Sequence, residues 1–84
     1  GCDEEVKSMR TAPAARGRGV ARAMLGHLCT DARGRGVERL WLETGSMAFF
    51  APARSLYRSA GFAECGPFAA YRLDPNSTFM TMAL

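Results

Sequence analysis

Arg16-Gly17-Arg18-Gly19-Val20-Ala21 is a glycine turn set between two segments of different periodicity, and it constrains the fold more than any other stretch. Residues 5–11 before it read as a strand. From residue 20 to residue 32, apolar side chains recur at helical spacing. A strand that passes through glycines directly into a helix is a βα unit. Such a turn leaves the first N–H groups of the helix without intrahelical partners, and the helix adds about half a positive charge there. Those are the components of a phosphate cradle, to which Arg16 and Arg18 add attraction. A plainer reading stands beside it: glycines that only tighten a turn, and arginines that solvate it.

The 84 residues allow one small domain, spanning 1–84, with a thin core: a chain this size buries only about 60–65% of its unfolded surface. Hydrophobic residues at 48% and charged residues at 23% favour a globular fold over disorder. The net charge of +3 is modest. Glu4, Glu5, Glu38, Glu43 and Asp74 interrupt the basic residues, so a small anionic ligand suits the chain better than nucleic acid. Cys2, Cys29 and Cys65 are odd in number and widely spaced beside a single histidine. Neither a disulfide framework nor a metal site is expected, and a reducing cytoplasm is the expected compartment. No stretch approaches the roughly 18 apolar residues of a membrane span, and no signal-peptide pattern opens the chain, so no membrane partner is expected.

Residues 6–11 give the first expected strand, with Val6 and Met9 as apolar positions and Pro13 breaking it. In the helix at 20–32, Ala21, Leu25, Leu28 and Ala32 form the apolar stripe, with Met24 and Cys29 beside it. Gly34 and Gly36 are its stop signal, so the second Arg-Gly-Arg-Gly, at 33–36, reads as a helix cap. Residues 37–44 form the strongest strand; its run Leu40-Trp41-Leu42 suits a strand covered on both faces. A turn at Gly45-Ser46 leads to a second helix at 49–60, with Pro52 in its first turn and Gly61 as its cap. A strand at 62–65, an irregular segment at 66–76 with a turn at Asp74-Pro75-Asn76-Ser77, and a terminal strand at 79–84 complete the chain. The order is β-α-β-α-β-β, an α/β class with a mixed sheet.

On these residues the chain resembles the GNAT superfamily of N-acetyltransferases. Arg16-Gly17-Arg18-Gly19-Val20-Ala21 is similar to that superfamily's pyrophosphate loop, Gln/Arg-x-x-Gly-x-Gly/Ala, and stands after a strand and before a helix. Leu56-Tyr57-Arg58-Ser59-Ala60-Gly61-Phe62 resembles its second hallmark, a Leu-Tyr followed by Gly-Phe. Within the superfamily the likeness is to the YsnE-like branch. It is carried by Lys7-Ser8-Met9, Leu42-Glu43-Thr44-Gly45, Phe50-x-Pro52-Ala53 and Asp74-Pro75-Asn76-Ser77-x-Phe79-Met80. Some relatives there are described as acting on indole-3-acetic acid. A complete member has about seven strands and four helices. The resemblance therefore implies a partial GNAT acyl-CoA N-acyltransferase fold, its acetyl-CoA-binding C-terminal half.

The resemblance also implies the chemistry: transfer of an acetyl group from acetyl-CoA, the cosubstrate, to an amine of a small molecule or peptide. Arg16, Gly17, Arg18, Gly19, Val20 and Ala21 would hold the diphosphate, and Met9, Arg10 and Thr11 would offer backbone groups to the pantetheine arm. Tyr57 would be the catalytic acid for the departing thiolate, since an unperturbed phenol with a pKa of about 10 is protonated at neutral pH. Phe50 stands where many members carry an asparagine that contacts the cofactor. Glu43 is a candidate base at a strand end, His27 reads as a surface residue, and Cys29 and Cys65 read as small buried hydrophobes. The alternatives are a truncated module that binds CoA or self-assembles without turnover, and a small basic RNA-binding protein. For the last, no aromatics interleave with the basic turns. A strand at 6–11 without its earlier neighbours would be an open sheet edge, so a homodimer is expected, through edge pairing or exchange of the terminal strand.

Overall fold

The computed structural model describes residues 2–6 and 18–84. The elements are β1 (Asp3–Glu5), α1 (Arg18–Gly34), β2 (Arg39–Gly45), a 3₁₀ turn (Ala48–Phe50), α2 (Ala51–Ala60), β3 (Ala63–Cys65) and β4 (Ser77–Ala83). The order β-α-β-α-β-β is the one expected. The four strands form one mixed sheet in the order β1-β2-β4-β3. β1 runs parallel to β2, whereas β4 is antiparallel to both β2 and β3.

The first strand begins at Asp3, earlier than expected. The described ladder covers Asp3–Glu5 and ends as the Val6 N–H donates to the Trp41 carbonyl at 2.7 Å; residues 7–11 lie outside the described residues. Three consecutive acidic residues hide the strand from a hydrophobicity reading, yet they alternate with the strand period of two. Asp3 accepts from the Trp41 indole N–H (3.3 Å) and Glu5 from the Tyr71 hydroxyl (2.6 Å). Glu4, between them, takes a bidentate Arg35 guanidinium (2.8 and 2.9 Å). The alternation is polar, and partners on both sides satisfy it.

α1 extends past the expected 20–32 at both ends. Its C-terminus follows a Schellman pattern: Val37 N–H donates to Ala32 O (3.0 Å) and Gly36 N–H to Arg33 O (3.1 Å), with Gly36 at φ 87°. The second Arg-Gly-Arg-Gly is thus a helix cap, as its sequence suggested. α2 ends the same way. Phe62 N–H reaches Tyr57 O and Gly61 N–H reaches Arg58 O, each at 3.0 Å, while Gly61 takes φ 115°. The accompanying apolar contact of that motif is the Tyr57–Phe62 ring pair, with centroids 5.9 Å apart. A Cβ at Gly61 would also lie 2.8 Å from the Met82 sulfur, which would have to shift; the positive φ is what requires glycine.

The sheet has two differently covered faces. Leu40 and Leu42 of β2 and Met80 of β4 face the helices. They pack with Ala21, Leu25, Cys29 and Ala32 of α1, Leu56 and Tyr57 of α2, and Val6 and Phe62. On the opposite face the segment at 66–76 folds back over the strands. Its Tyr71 N–H donates to Phe68 O (3.0 Å), which sets both rings against the sheet. Phe68 lies 5.2 Å from Trp41 and 5.8 Å from Phe79, and Tyr71 lies 5.4 Å from Phe79. Trp41 is therefore covered on the face that Leu40 and Leu42 do not use.

Candidate active site

In a βαβ unit the helix runs antiparallel to the strands, so α1 begins at the carboxyl end of the parallel pair β1 and β2. α2 follows β2 directly and begins at that end too. The first turn of α1 holds no acidic residue. Gly19 in that turn is exposed, and a Cβ built on it meets nothing within 4 Å among the described residues. The first N–H groups of a helix have no intrahelical partner, and at the positive end of a 17-residue helix they fit an anion such as a diphosphate. Ala21 differs from Gly19: its side chain is buried in the core, which leaves only its backbone for a ligand. Of the other expected cofactor residues, Arg18 and Val20 sit on α1's first turn. Met9, Arg10, Thr11, Arg16 and Gly17 lie outside the described residues.

Tyr57 belongs to the same core cluster as Ala21, so one packed unit joins the start of α1 to the expected acid on α2. Tyr57 is 4% exposed. Burial pushes its phenol pKa above the ordinary value, which keeps it protonated and able to donate. His27 is exposed on α1, as expected, Cys29 is buried and Cys65 half-buried.

A cavity of about 330 Å³ opens at the carboxyl end of β2, lined by Glu43, Gly45, Met47, Phe50, Asn76 and Ser77. Two loops build it. On one side the Arg54 guanidinium donates to Gly45 O (2.7 Å) and Met47 O (2.9 Å), clamping the link between β2 and α2. On the other, Asn76 N–H donates to Asp74 Oδ1 (2.8 Å) and Ser77 N–H to Asp74 O (3.0 Å), the turn expected there. Ser46 ties the loops together: its N–H donates to Asn76 O (3.1 Å) and its hydroxyl to Pro75 O. Phe50, at the expected asparagine position, folds its ring over Gly45 so closely that a Cβ there would overlap it. Ser77 Oγ donates to Glu43 Oε2 at 2.8 Å. Glu43 was thus legible as a strand-end carboxylate. The roles of Ser46 and Ser77 were not, because their partners lie 29 and 34 residues away in the chain.

Among the described residues no group of His, Cys, Asp and Glu is arranged to hold a metal ion, and no helix is long and apolar enough to cross a membrane.

Residues 3–62 match the acetyltransferase (GNAT) family. The chain is 58% identical over 80 residues to N-acetyltransferase YsnE of Bacillus subtilis (strain 168), covering 95% of this chain and 53% of that one. It is 51% identical over 80 residues to N-acetyltransferase YedL of Escherichia coli (strain K12), covering 95% and 50%. Its structure superposes on the ribosomal-protein-S18-alanine N-acetyltransferase of Escherichia coli with a TM-score of 0.63 at 32% identity, over 84% of this chain and 47% of that one. The chain spans about half the length of these relatives. With its mixed sheet and two helices, it is a partial acyl-CoA N-acyltransferase fold and belongs to the GNAT acetyltransferase family.

Proposed function

We propose that this chain is the cofactor-binding half of an N-acetyltransferase that moves an acetyl group from acetyl-CoA to an amine of a small molecule or peptide. The observation that carries the reading is the acid-free first turn of α1, with Gly19 open, at the carboxyl end of the parallel strands. Backbone amides from Gly17 to Ala21, with Arg16 and Arg18 beside them, would hold the diphosphate. Met9, Arg10 and Thr11 would offer backbone groups to the pantetheine amides and an N–H to the thioester oxygen. Acetyl-CoA supplies the activated acetyl group. Tyr57 would give its proton to the departing sulfur, and its raised pKa keeps that proton in place across the neutral range.

Turnover is tested by following release of free CoA thiol with a panel of primary amines. Tyr57→Phe keeps the ring and its packing on Phe62 but removes the proton donor. General acid catalysis is worth about 10²–10⁴-fold, so kcat should fall by that order with CoA affinity unchanged. An unaltered kcat, with chemistry rate-limiting, reduces Tyr57 to a packing residue. Binding of CoA with no turnover by the wild type favours a module without activity.

A homodimer is part of the same reading. β1 is an edge of the described sheet, and paired edges remove exposed backbone groups. Exchange of β4 is the costlier route, since β4 pairs with both β2 and β3. Light scattering behind a sizing column should give twice the chain mass; a monomer that unfolds cooperatively overturns it. The free thiols of Cys2, Cys29 and Cys65 suit a reducing cytoplasm.

A further inference from the structure

α2 carries the expected acid, and its two ends are held in different ways. At its C-terminus the left-handed Gly61 closes the helix, Arg58 donates to Glu64 of β3 at 2.9 Å, and the Tyr57 ring packs on Phe62. At its N-terminus the capping residue, Phe50, offers no side-chain hydrogen bond, and no acidic residue stands in the first turn. The hold there comes from Arg54, the fourth residue of the helix. Its Nη1 donates to Gly45 O at 2.7 Å and to Met47 O at 2.9 Å, so one nitrogen joins the end of β2, the link and the helix. We propose that Arg54 is a positioning residue for the acid step: by locking the link between β2 and α2, it sets where α2 carries the Tyr57 hydroxyl.

Charge, place and direction support this assignment. A cation in the first turn of a helix opposes the helix dipole, so local helix stability does not account for an arginine there. Hydrogen bonds from a guanidinium are charge-assisted, and Arg54 is half-buried, so water competes less for its carbonyl partners. Gly45 is the last residue of β2 and Met47 stands in the link, so both acceptors precede the helix that Arg54 belongs to. The Phe50 ring closes the same junction against Gly45, but an apolar contact lacks the direction of a hydrogen bond. Arg54 and Tyr57 are three residues apart, which makes them neighbours on the helix surface. The Cα–Cβ bond of a helical residue tilts toward the N-terminus, so Tyr57 leaves the backbone toward the turn that Arg54 holds. Without that hold, α2 stays tied at its C-terminal end and loses its directional tie at the other. Misplacing a reacting group by about 1 Å can cost roughly 10²-fold in rate. The purpose of the positioning rests on the acetyl-transfer reading, but the placement of the Tyr57 hydroxyl does not.

Arg54→Met keeps the alkyl stem and a good helix former but removes both donors. Two readouts follow it: release of free CoA thiol with a panel of primary amines, and titration of the Tyr57 phenol in the unliganded protein. The phenol is read from carbon-13-labelled tyrosine, with Tyr57→Phe telling its signal from that of Tyr71. Arg54→Met should lower kcat about tenfold or more and leave KM for acetyl-CoA unchanged. It should also move the Tyr57 midpoint down toward the ordinary value of about 10 as water reaches the ring. Loss of the positive charge alone would move the midpoint up, so the direction separates lost positioning from lost charge. Arg54→Lys keeps the charge and the donors and should restore most of both readouts. In a Tyr57→Phe background Arg54→Met should lower kcat no further, because the group it positions is gone. A full further loss in that background, an unmoved or raised midpoint, or a lysine variant no better than the methionine one would each overturn the proposal. If Arg54→Met does not fold, Arg54→Gln replaces it and is judged by the same midpoint. CoA binding without turnover by the wild type sinks the acetyl-transfer reading, and the midpoint then decides the positioning by itself. A normal kcat in Arg54→Met beside a defective Tyr57→Phe keeps that reading and sinks the positioning.

Discussion

The two faces of the sheet are held by different physics. On one, two helices press aliphatic side chains together, and Leu25, Leu40, Leu42 and Met80 are the largest fully buried groups in the described molecule. On the other, an irregular segment lays Phe68 and Tyr71 over Trp41 and Phe79, and carboxylates of β1 anchor the rings through the Trp41 and Tyr71 donors. The first face is dry and close-packed, so losing volume there leaves a cavity. The second is half open and polar at its rim, so it can be altered at lower cost. Stability is concentrated under the helices, and the groups that can meet a ligand gather at the carboxyl end of β2 and beyond it.

The sharpest way to break that contrast is to truncate one side chain on each face. Leu40→Ala should cost about 2–5 kcal/mol in denaturant unfolding, enough to unfold much of a chain this small. Phe68→Ala removes a larger side chain that is only half-buried and should cost distinctly less; equal losses would mean that both faces carry the fold alike. Next comes the junction of the faces. Gly45→Ala drives a methyl group into the Phe50 ring and should cost about 1–3 kcal/mol. Phe50→Ala in the same chain should recover most of that, and if the two penalties simply add, the ring does not rest on Gly45 in solution. On the aromatic face, Tyr71→Phe removes the donor to Glu5 while keeping the ring and should cost about 1 kcal/mol.

The smallest effect belongs to the exposed Arg35–Glu4 pair. Arg35 holds the Glu4 carboxyl below the usual glutamate range through its hydrogen bonds and charge. A depressed carboxylate pKa contributes stability that is full above the unfolded value of about 4.3 and fades as pH falls through the lower folded one. Arg35→Gln should lower stability slightly and evenly above that pH, with the difference shrinking as pH falls through the folded value, so that the acid limb becomes less steep. A difference that persists undiminished in acid would contradict the assignment.

How far the sequence revealed this molecule follows from the range of each signal. α1 was legible because its apolar positions carry a local period, β2 from its continuous apolar run Leu40-Trp41-Leu42, α2 from Pro52 and Gly61 at its ends, and both helix ends because Gly36 and Gly61 must take a left-handed backbone. The start of β1 at Asp3 was not legible because its alternation is written in carboxylates, whose partners Trp41, Tyr71 and Arg35 come from three distant segments; the expected strand at 6–11 lies outside the described residues beyond Val6. The glycine turn at 16–19 and Tyr57 stand out as local motifs. The cavity does not: Glu43 and Ser77 lie 34 residues apart, and only the antiparallel pairing of β2 with β4 brings them together. Chemistry assembled across a sheet leaves no periodic trace in either contributing segment.

The central claim is that the start of α1 holds the diphosphate of CoA, and calorimetric titration of CoA into the wild type and Gly19→Glu tests it most directly. The Gly19 position has room for a side chain, so the glutamate should leave the fold intact while setting a negative charge where the diphosphate would lie. The expected result is measurable binding by the wild type, loss of binding in Gly19→Glu, and unchanged thermal unfolding of the unliganded variant. Absence of heat and of competition at millimolar CoA in the wild type, or equal affinity in the two proteins, would contradict it.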